Sequence, residues 1–271
     1  MTNVIAEIGI NANGNINNAK KLIDLASLAG FNYVKFQKRD IDLCVPEHKK
    51  NEIKSTPWGP MTYYDYKDKM EFSYNDYEEI NEYCNEKNIK WFASVWDVNS
   101  IDFMEYFSSI VKIPSAMITN IELLKKARSK FDTLIMSTGM STEKEINTAI
   151  AACKPDVIMH TNSTYPTPLD EMNLNYIIWL MAQHKNSEIG YSGHEFGIAQ
   201  TIGTVLMGVT WIERHITLDR TLWGSDQFAS VEPVGCFKLI KGIRDAEKAK
   251  GKCCERVVFE SEKKKLLDLR K

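Results

Sequence analysis

Residues 188–219 read EIGYSGHEFGIAQTIGTVLMGVTWIERHITLD and contain two short apolar runs, EIGYS and TWIER, each closely followed by a histidine. Short apolar runs bounded by glycine or polar residues are typical of buried β-strands. If the two strands are parallel neighbours, their carboxyl ends lie at the same edge of the sheet, and His194 and His215 come together there. The stretch therefore predicts a pair of imidazole side chains on one face of a parallel β-structure.

Six similar runs precede these two. The eight predicted strands lie at residues 4–10, 33–37, 90–96, 110–114, 133–137, 156–160, 188–192 and 210–214. Most of them are followed by a stretch with helical spacing of apolar residues, as at 17–30, 75–88, 120–131 and 142–153. Strands that alternate with helices predict parallel βαβ units. Eight such units favour an α/β fold of the closed (β/α)8 TIM-barrel type, and a doubly wound open sheet is the alternative.

The chain length of 271 residues is close to the roughly 250 typical of such barrels, so we expect one barrel domain over residues 1–271. Residues 40–74 form an unusually long connection after the second strand. Their aromatic side chains argue against disorder, and we expect an ordered flap near the barrel mouth, with packing of the segment on itself as an equal alternative. Residues 252–271 are expected to form a C-terminal tail or a helix with a solvated lysine-rich face.

Composition excludes several classes of protein. A net charge of −2, with 44% hydrophobic and 26% charged residues, is ordinary for a globular domain and argues against a general nucleic-acid surface. No apolar run approaches the roughly 20 residues of a membrane span. The cysteines show no CxxC spacing and no secretory signal precedes the first strand, so we expect a cytoplasmic protein with reduced thiols. The cysteines are Cys44, Cys84, Cys153, Cys236, Cys253 and Cys254.

Polar residues at the predicted strand ends are the candidates for chemistry, because the active sites of TIM barrels lie where strands end and βα loops begin. They are Glu7, Lys35, Gln37, Lys112, Ser115, Ser137, His160, Ser192, His194, Glu213 and His215, with Asp226 in the loop after the last strand. Because the eighth strand of a closed barrel pairs with the first, Glu7 is predicted to lie beside His215. The sequence thus predicts a metal pocket with a carboxylate next to it.

Two features of this set have competing explanations. Two imidazoles leave coordination positions open for water and a substrate oxygen, as a catalytic divalent metal requires, but on spacing alone structural hydrogen-bonded histidines are about as probable. Lys35 and Lys112 lie inside apolar runs, where a lysine is unfavourable unless it is paired. They indicate either an anionic ligand or a partner carboxylate, for which Glu7 or Glu213 would serve. The phosphate-binding patterns GxGxxG and GxxxxGK[ST] do not occur, and GYSG lacks the spacing of GxSxG.

Six motifs resemble, in order, those of the N-acetylneuraminate (sialic acid) synthase family. They are AEIGINANG (6–14), VKFQ (34–37), STGM (137–140), HxxxxYPTP (160–168), IGYSGH (189–194) and ERHIT (213–217). The resemblance runs from about residue 3 to residue 250. It implies condensation of phosphoenolpyruvate (PEP) with N-acetylmannosamine or a related amino sugar, which gives a nonulosonic acid and inorganic phosphate. It also implies a divalent metal, Mn²⁺ first, with Mg²⁺ or Co²⁺ as alternatives.

The resemblance assigns a role to each matching residue. His194 and His215 match the metal ligands. Glu7 matches the carboxylate beside the reacting carbons, and Asp226 matches an acid that hydrogen-bonds to the reacting sugar oxygen. The residues that match PEP-binding positions are Lys35, Lys112, Ser115, Ser137, Ser163 and Ser192. Those that match sugar-binding positions are Gln37, Tyr165 and Glu213.

Some positions depart from the family pattern. Val95 replaces a hydroxyl residue, Pro114 replaces a glycine, and Ser163 stands where an asparagine is frequent. Full-length members carry a C-terminal antifreeze-like domain whose arginine reaches the sugar of the partner chain, whereas this sequence stops at Lys271. We therefore expect sugar recognition to rely on the barrel, the flap or a separate capping protein, and a homodimer is expected only by analogy.

Two other functions are compatible with the same residues. One is a metal-dependent aldolase or lyase, which would share the histidine pair but would not need two lysines placed for a phosphate and a carboxylate. The other is a non-catalytic sugar-phosphate-binding subunit, which is disfavoured because Glu7, both histidines and both lysines are all present. Phosphate release separates the synthase from both.

Overall fold

The computed structural model describes residues 1–252 and 254–270. Its strands, in chain order, are β1 (Asn3–Glu7), β2 (Tyr33–Lys38), β3 (Ile53–Thr56), β4 (Gly59–Thr62), β5 (Lys90–Val95), β6 (Ile110–Ile113), β7 (Thr133–Ser137), β8 (Val157–Thr161), β9 (Glu188–Gly193) and β10 (Trp211–His215). All except β3 and β4 are parallel and close into a barrel in the order β1-β10-β9-β8-β7-β6-β5-β2. The predicted TIM barrel is confirmed, and the open-sheet alternative is wrong.

Each predicted strand coincides with a barrel strand to within one residue, apart from the end of the first. There the apolar run 4–10 continues past Glu7 into a turn, because Ile8 and Ile10 are buried in loop structure rather than in the sheet. Strand β10 pairs with β1 and places His215 opposite Glu7, as the sequence predicted for a closed barrel.

The helices are α1 (Ile16–Ala29), α2 (Ile41–Cys44), α3 (Tyr63–Met70), α4 (Tyr74–Glu86), α5 (Val98–Glu105), α6 (Ile121–Lys130), α7 (Glu143–Cys153), α8 (Asn175–Gln183), α9 (Ala199–Met207), α10 (Pro233–Lys250) and α11 (Glu260–Leu269). The predicted helices correspond to α1, α4, α6 and α7. Their starts have physical causes: Asn15 accepts the first free N–H groups of α1, and Thr142 forms a capping box with Glu145 at α7.

Alternation along the strands separates two apolar layers. Residues on the outer strand faces pack with the helices in one large cluster. A smaller cluster fills the lower barrel interior and consists of Ile5, Tyr33, Phe92, Ile135, Val157, Met159 and Trp211. Going up β10, Trp211, Glu213 and His215 share the inner face because side chains alternate with period two. The interior is therefore apolar at the bottom and polar at the carboxyl end of the strands.

Residues 40–74 contain α2, the antiparallel hairpin β3–β4 and α3. The rings of Trp58 and Tyr66 lie 5.7 and 5.0 Å from the ring of Trp223, which is in the loop after β10. On the β1 side, Gly14 has a φ of +63°, and a Cβ there would lie 1.8 Å from the carbonyl oxygen of Lys69. This close approach requires glycine, and the segment rests on two loops that follow barrel strands.

Beyond α10 the chain ends in α11, none of whose residues is buried. Cys253 and Lys271 lie outside the described residues. Within the described residues Cys44, Cys84, Cys153, Cys236 and Cys254 are free thiols. In the same part of the chain, no helix has both the length and the apolar composition to cross a bilayer.

Candidate active site

A cavity of about 180 Å³ opens at the carboxyl end of the barrel. It brings together all but one of the residues to which the family resemblance assigned a role: Glu7, Lys35, Gln37, Lys112, Ser115, Ser137, Ser163, Tyr165, Ser192, His194, Glu213 and His215. The remaining one, Asp226, lies beside the lining, with its Oδ2 atom 3.6 Å from Nδ1 of His215. His160 is turned away from this group, and its Nε2 donates to the carbonyl oxygen of Met172 at 2.7 Å.

Four buried charges form a chain across the cavity floor. The ammonium of Lys35 lies 2.7 Å from Oε2 of Glu7 and 3.7 Å from Oε1 of Glu213. The ammonium of Lys112 lies 2.7 Å from the same Oε1 of Glu213. Both carboxylates that the sequence offered as partners are thus used, and the set of four groups is neutral overall when Glu7 is ionised. An anionic ligand would meet two lysines already held in place.

The two carboxylates differ in their electrostatic environment. Burial raises the pKa of Glu7 to about 7, although the ammonium of Lys35 acts against it. Burial also raises the pKa of Glu213, but the charges of Lys112 and Lys35 outweigh this effect and lower the pKa to about 2. Glu213 therefore remains ionised, whereas Glu7 can gain or lose a proton near neutral pH. A group with such a pKa is suited to acid–base catalysis.

The Glu7 carboxylate is fixed on both oxygens. Gln37 donates from Nε2 to Oε1 at 2.9 Å, while Lys35 holds Oε2. Gly9 makes room for this arrangement, since it has a φ of +50° and a Cβ there would lie 2.9 Å from Glu7 Oε1. Arg39 in turn donates to the side-chain oxygen of Gln37. The geometry leaves the carboxylate little freedom to rotate.

The histidine rings lie at the cavity rim, with centroids 5.3 Å apart. The ring of Tyr165, which is 41% exposed, stacks on His194 at 4.0 Å. Burial lowers the pKa of both His194 and His215 to about 3, so both imidazoles are neutral at pH 7. A neutral imidazole is the form that binds a metal.

Hydrogen bonding fits these two histidines to a divalent cation. Nδ1 of His194 lies 2.6 Å from the carbonyl oxygen of Asn162 and donates to it, which leaves the Nε2 lone pair free. Metal-binding histidines commonly donate their second ring N–H in this way. Nδ1 of His215 is buried with no hydrogen-bond partner among the described residues. Over those residues no group of three or more His, Cys, Asp or Glu side chains forms a metal site, so water or substrate oxygens would complete the coordination.

Hydroxyl groups line the opposite wall. Ser115 Oγ accepts from the backbone N–H of Gly139 at 3.1 Å, and Ser192 donates to Glu213 at 3.3 Å. A Cβ on Gly139 would lie 2.3 Å from Ser163 Oγ, so only glycine fits there. The hydroxyl of Ser137 is buried and finds no hydrogen-bond partner within residues 1–252 and 254–270. Such a group is available to a ligand.

Sequence reasoning missed Ser94 and Trp96. Both line the cavity, and within the described chain Ser94 Oγ and Trp96 Nε1 are buried without a partner. Ser94 is in register with Gln37 and Lys112, and this pairing between strands is the signal that identifies it. Val95, which replaces a hydroxyl residue of the family pattern, faces the helices in the large apolar cluster and does not line the cavity.

Fold and cavity define a TIM-barrel enzyme with a charged, histidine-containing site at the carboxyl end of its strands. The NeuB family model matches residues 22–255, and the chain belongs to the NeuB family.

Named relatives and a solved structure agree with this assignment. The chain is 38% identical to the N-acetylneuraminate-9-phosphate synthase of Drosophila melanogaster over 85% of its own length and 64% of the relative's. It is 34% identical to the N,N'-diacetyllegionaminic acid synthase of Campylobacter jejuni over 92% and 78% of the two lengths. A crystal structure of the N-acetylneuraminic acid synthetase of Leptospira borgpetersenii in complex with citrate has a TM-score of 0.87 and 30% identity, and the match covers 98% of this chain and 90% of that one.

Proposed function

We propose that the protein condenses PEP with N-acetylmannosamine or a related N-acetyl amino sugar. The products are a nonulosonic, sialic-acid-type acid and inorganic phosphate, formed in the cytoplasm for surface-carbohydrate synthesis. One observation carries the proposal: two buried lysines, several serine hydroxyls and two neutral histidines converge on one cavity. An aldolase or lyase would need the histidines but has no use for this set of anion-binding groups. The names of the relatives support the same reaction class.

PEP would lie against the cavity floor. Lys35 and Lys112 supply positive charge to its phosphate and carboxylate, and Ser115, Ser137, Ser163 and Ser192 supply hydroxyl donors. The unpartnered hydroxyl of Ser137 supports this placement. Because the lysines are already held by Glu7 and Glu213, little side-chain entropy is lost when the anion binds.

The sugar would lie beside PEP and extend from the cavity mouth down to Glu213 on the floor. Gln37, Tyr165 and Glu213 are the proposed contacts, and the exposed part of Tyr165 is the group closest to solvent among them. The segment 40–74 would cover the sugar. A homodimer or a separate capping protein could complete this part of the site. The proposed substrates are small molecules, and neither nucleic acid nor a membrane surface is needed.

In the proposed reaction, C3 of PEP attacks the aldehyde carbon of the open-chain sugar. Positive charge then develops at C2 and is captured by water, whose proton passes to Glu7. The bond between C2 and the phosphate oxygen then breaks, phosphate leaves with the proton of the new C2 hydroxyl, and C2 becomes a ketone, while the sugar oxygen takes the proton held by Glu7 and becomes a hydroxyl. Asp226 would accept a hydrogen bond from the sugar oxygen once that oxygen has become a hydroxyl. The near-neutral pKa of Glu7 supports its role as the base.

We propose that His194 and His215 hold a divalent cation, Mn²⁺ first and Mg²⁺ or Co²⁺ as alternatives. When bound, it would polarise the aldehyde as a Lewis acid. The hydrogen bond from Nδ1 of His194 to the Asn162 carbonyl leaves Nε2 as the ring nitrogen available to the cation.

The test is release of phosphate from PEP by the metal-loaded protein, with N-acetylmannosamine and related amino sugars supplied one at a time. Release that requires both sugar and metal, with a product mass equal to sugar plus pyruvate, is the expected result. Aldol cleavage of a keto acid without phosphate release would favour the lyase. Binding of PEP without phosphate release in the presence of any of the sugars would favour a binding subunit. Either of these two results would contradict the synthase.

A further inference from the structure

A second charged pair lies directly behind the two histidines, on the opposite side of the sheet. Arg214 precedes His215 on β10, and Glu195 follows His194 at the end of β9. Because side chains alternate along a strand, Arg214 points away from the cavity toward α9. The two side chains are 1% and 0% exposed, and NH1 of Arg214 lies 2.9 Å from Oε1 of Glu195.

Arg214 also binds the backbone that leaves His194. Its NH2 donates to the carbonyl oxygen of Glu195 at 2.7 Å, and its NH1 donates to the carbonyl oxygen of Gly197 at 2.8 Å. These carbonyls lie one and three residues beyond His194. Arg214, which precedes His215, therefore holds the main chain just after His194.

Further hydrogen bonds fix the pair itself. NH1 of Arg214 donates to Oγ1 of Thr201 at 2.7 Å, and that hydroxyl donates to Glu195. The hydroxyl of Tyr191 donates to the other carboxylate oxygen at 2.9 Å. Gly193 leaves the space, because a Cβ there would lie 2.4 Å from Oε2 of Glu195 and 3.1 Å from Cδ of Arg214. The side chains of Arg214, Glu195, Thr201 and Tyr191 form one hydrogen-bonded connection between β9, β10 and α9.

Stability alone is a poor explanation for this pair. Burying an ion pair removes two charges from water, and apolar residues of similar volume in its place are often as stable or more so. What the apolar pair would lack is the fork of donors that binds two carbonyl oxygens at once. Those two bonds reach the main chain next to His194 from the residue that precedes His215.

We propose that Arg214 and Glu195 are positioning residues that hold His194 and His215 at the separation needed to bind one divalent cation. The inference rests on the metal site of the proposed function. Arg214 and Glu195 themselves would touch neither the substrate nor the metal. Outer groups that orient metal ligands commonly change metal affinity by about 10- to 100-fold when removed.

The test is Mn²⁺ binding by the full chain without PEP or sugar, measured by calorimetry and by the electron paramagnetic resonance signal of free Mn²⁺. The double variant Arg214→Met/Glu195→Leu should fold, as circular dichroism would show, yet bind Mn²⁺ about 10- to 100-fold more weakly. Its Co²⁺ complex should have altered visible absorption, which reports coordination geometry. Arg214→Lys keeps the charge but lacks the fork, and should also lose about tenfold in affinity.

Leu124→Ala is the control for a purely structural effect. Leu124 is fully buried in α6, on a different part of the barrel, so the variant loses stability without touching β9 or β10. It should keep wild-type Mn²⁺ affinity. If the wild type binds Mn²⁺ and the double variant binds it within twofold, the positioning role is refuted and the proposed function stands. If the double variant does not fold, Arg214→Lys decides by the same criterion. If the wild type itself binds no Mn²⁺, both the inference and the proposed metal site fail.

Discussion

Replacing Lys112 by methionine would leave a buried carboxylate with one distant partner. Lys112 and Glu213 are almost wholly buried, and their charged atoms are 2.7 Å apart. After Lys112→Met, the nearest remaining cation is Lys35, at 3.7 Å. Breaking a buried pair on one side destabilises a protein by about 3–5 kcal/mol. Because Lys35 partly compensates, we expect the low end, about 3 kcal/mol.

The double variant Lys112→Met/Glu213→Leu separates loss of the pair from loss of one charge. It removes one positive and one negative group and leaves Lys35 paired with Glu7 at 2.7 Å. Apolar replacement of a whole buried pair is often neutral or stabilising. The double variant should therefore be at least as stable as the wild type, and the coupling energy should be about 3 kcal/mol or more.

Urea unfolding followed by circular dichroism, in chelator and without PEP, gives the free energies directly. A loss of about 3 kcal/mol in a domain of this size corresponds to a fall in Tm of roughly 6–12 °C. Both variants should also lose PEP-dependent turnover. The electrostatic reasoning is refuted if Lys112→Met destabilises by less than about 1 kcal/mol. It is also refuted if the stability change of the double variant equals the sum of the changes in Lys112→Met and Glu213→Leu.

Three further results are expected. Gly139→Ala should raise the KM for PEP by roughly tenfold or more, since the new methyl group overlaps Ser163 Oγ. Gly203→Ala, where a new methyl group meets nothing within 4 Å, is the matched control, and an equal KM in the two variants would contradict the proposed placement of PEP against these serine hydroxyls. His215→Ala should abolish the Mn²⁺-dependent rise in stability, about 2.7 kcal/mol in the wild type at 100 times Kd, and a preserved rise would remove His215 from the metal site. Burial raises the pKa of Glu7 from 4.5 to about 7, so the folded state keeps a proton that the unfolded chain has lost, and the contribution of Glu7 to metal-free stability should fall by up to about 1.4 kcal/mol per pH unit between those values. His194 and His215, whose pKa burial lowers from 6.5 to about 3, contribute the opposite slope below pH 6.5. Glu7→Gln should remove only the falling part, so in metal-free urea unfolding the stability of the variant should rise more steeply with pH than that of the wild type, and equal slopes would show that Glu7 does not titrate in this range.

The sequence was sufficient for the barrel because strand burial has a strong local signal. Eight apolar runs separated by helical stretches are compatible with few topologies, and the barrel closes when the last strand pairs with the first. The same logic placed Glu7 opposite His215, which the register confirms. The position of Lys35 and Lys112 inside apolar runs predicted that each is paired with an anionic group, and both are buried and paired with carboxylates.

What the sequence could not show is the face on which a residue at a strand end lies. A shift of one residue moves a side chain from the cavity to the helices, and this is the difference between Ser94 and Val95. His160 ends a strand as His194 and His215 do, yet it bonds to a backbone carbonyl outside the cavity. The partner of Arg214 is nineteen residues away and is set by tertiary structure alone.

The segment ERH, residues 213–215, shows how one strand end serves two purposes. Glu213 and His215 face inward, where the first binds both lysines and the second lies at the rim with His194. Arg214, between them, faces outward and binds the chain that leaves His194. Because successive side chains must point to opposite faces, a strand that carries chemistry on every second residue has the residues between free for anchoring. The inward contacts of Glu213 and His215 and the outward contacts of Arg214 thus share one backbone, and a shift of that backbone changes both sets of contacts.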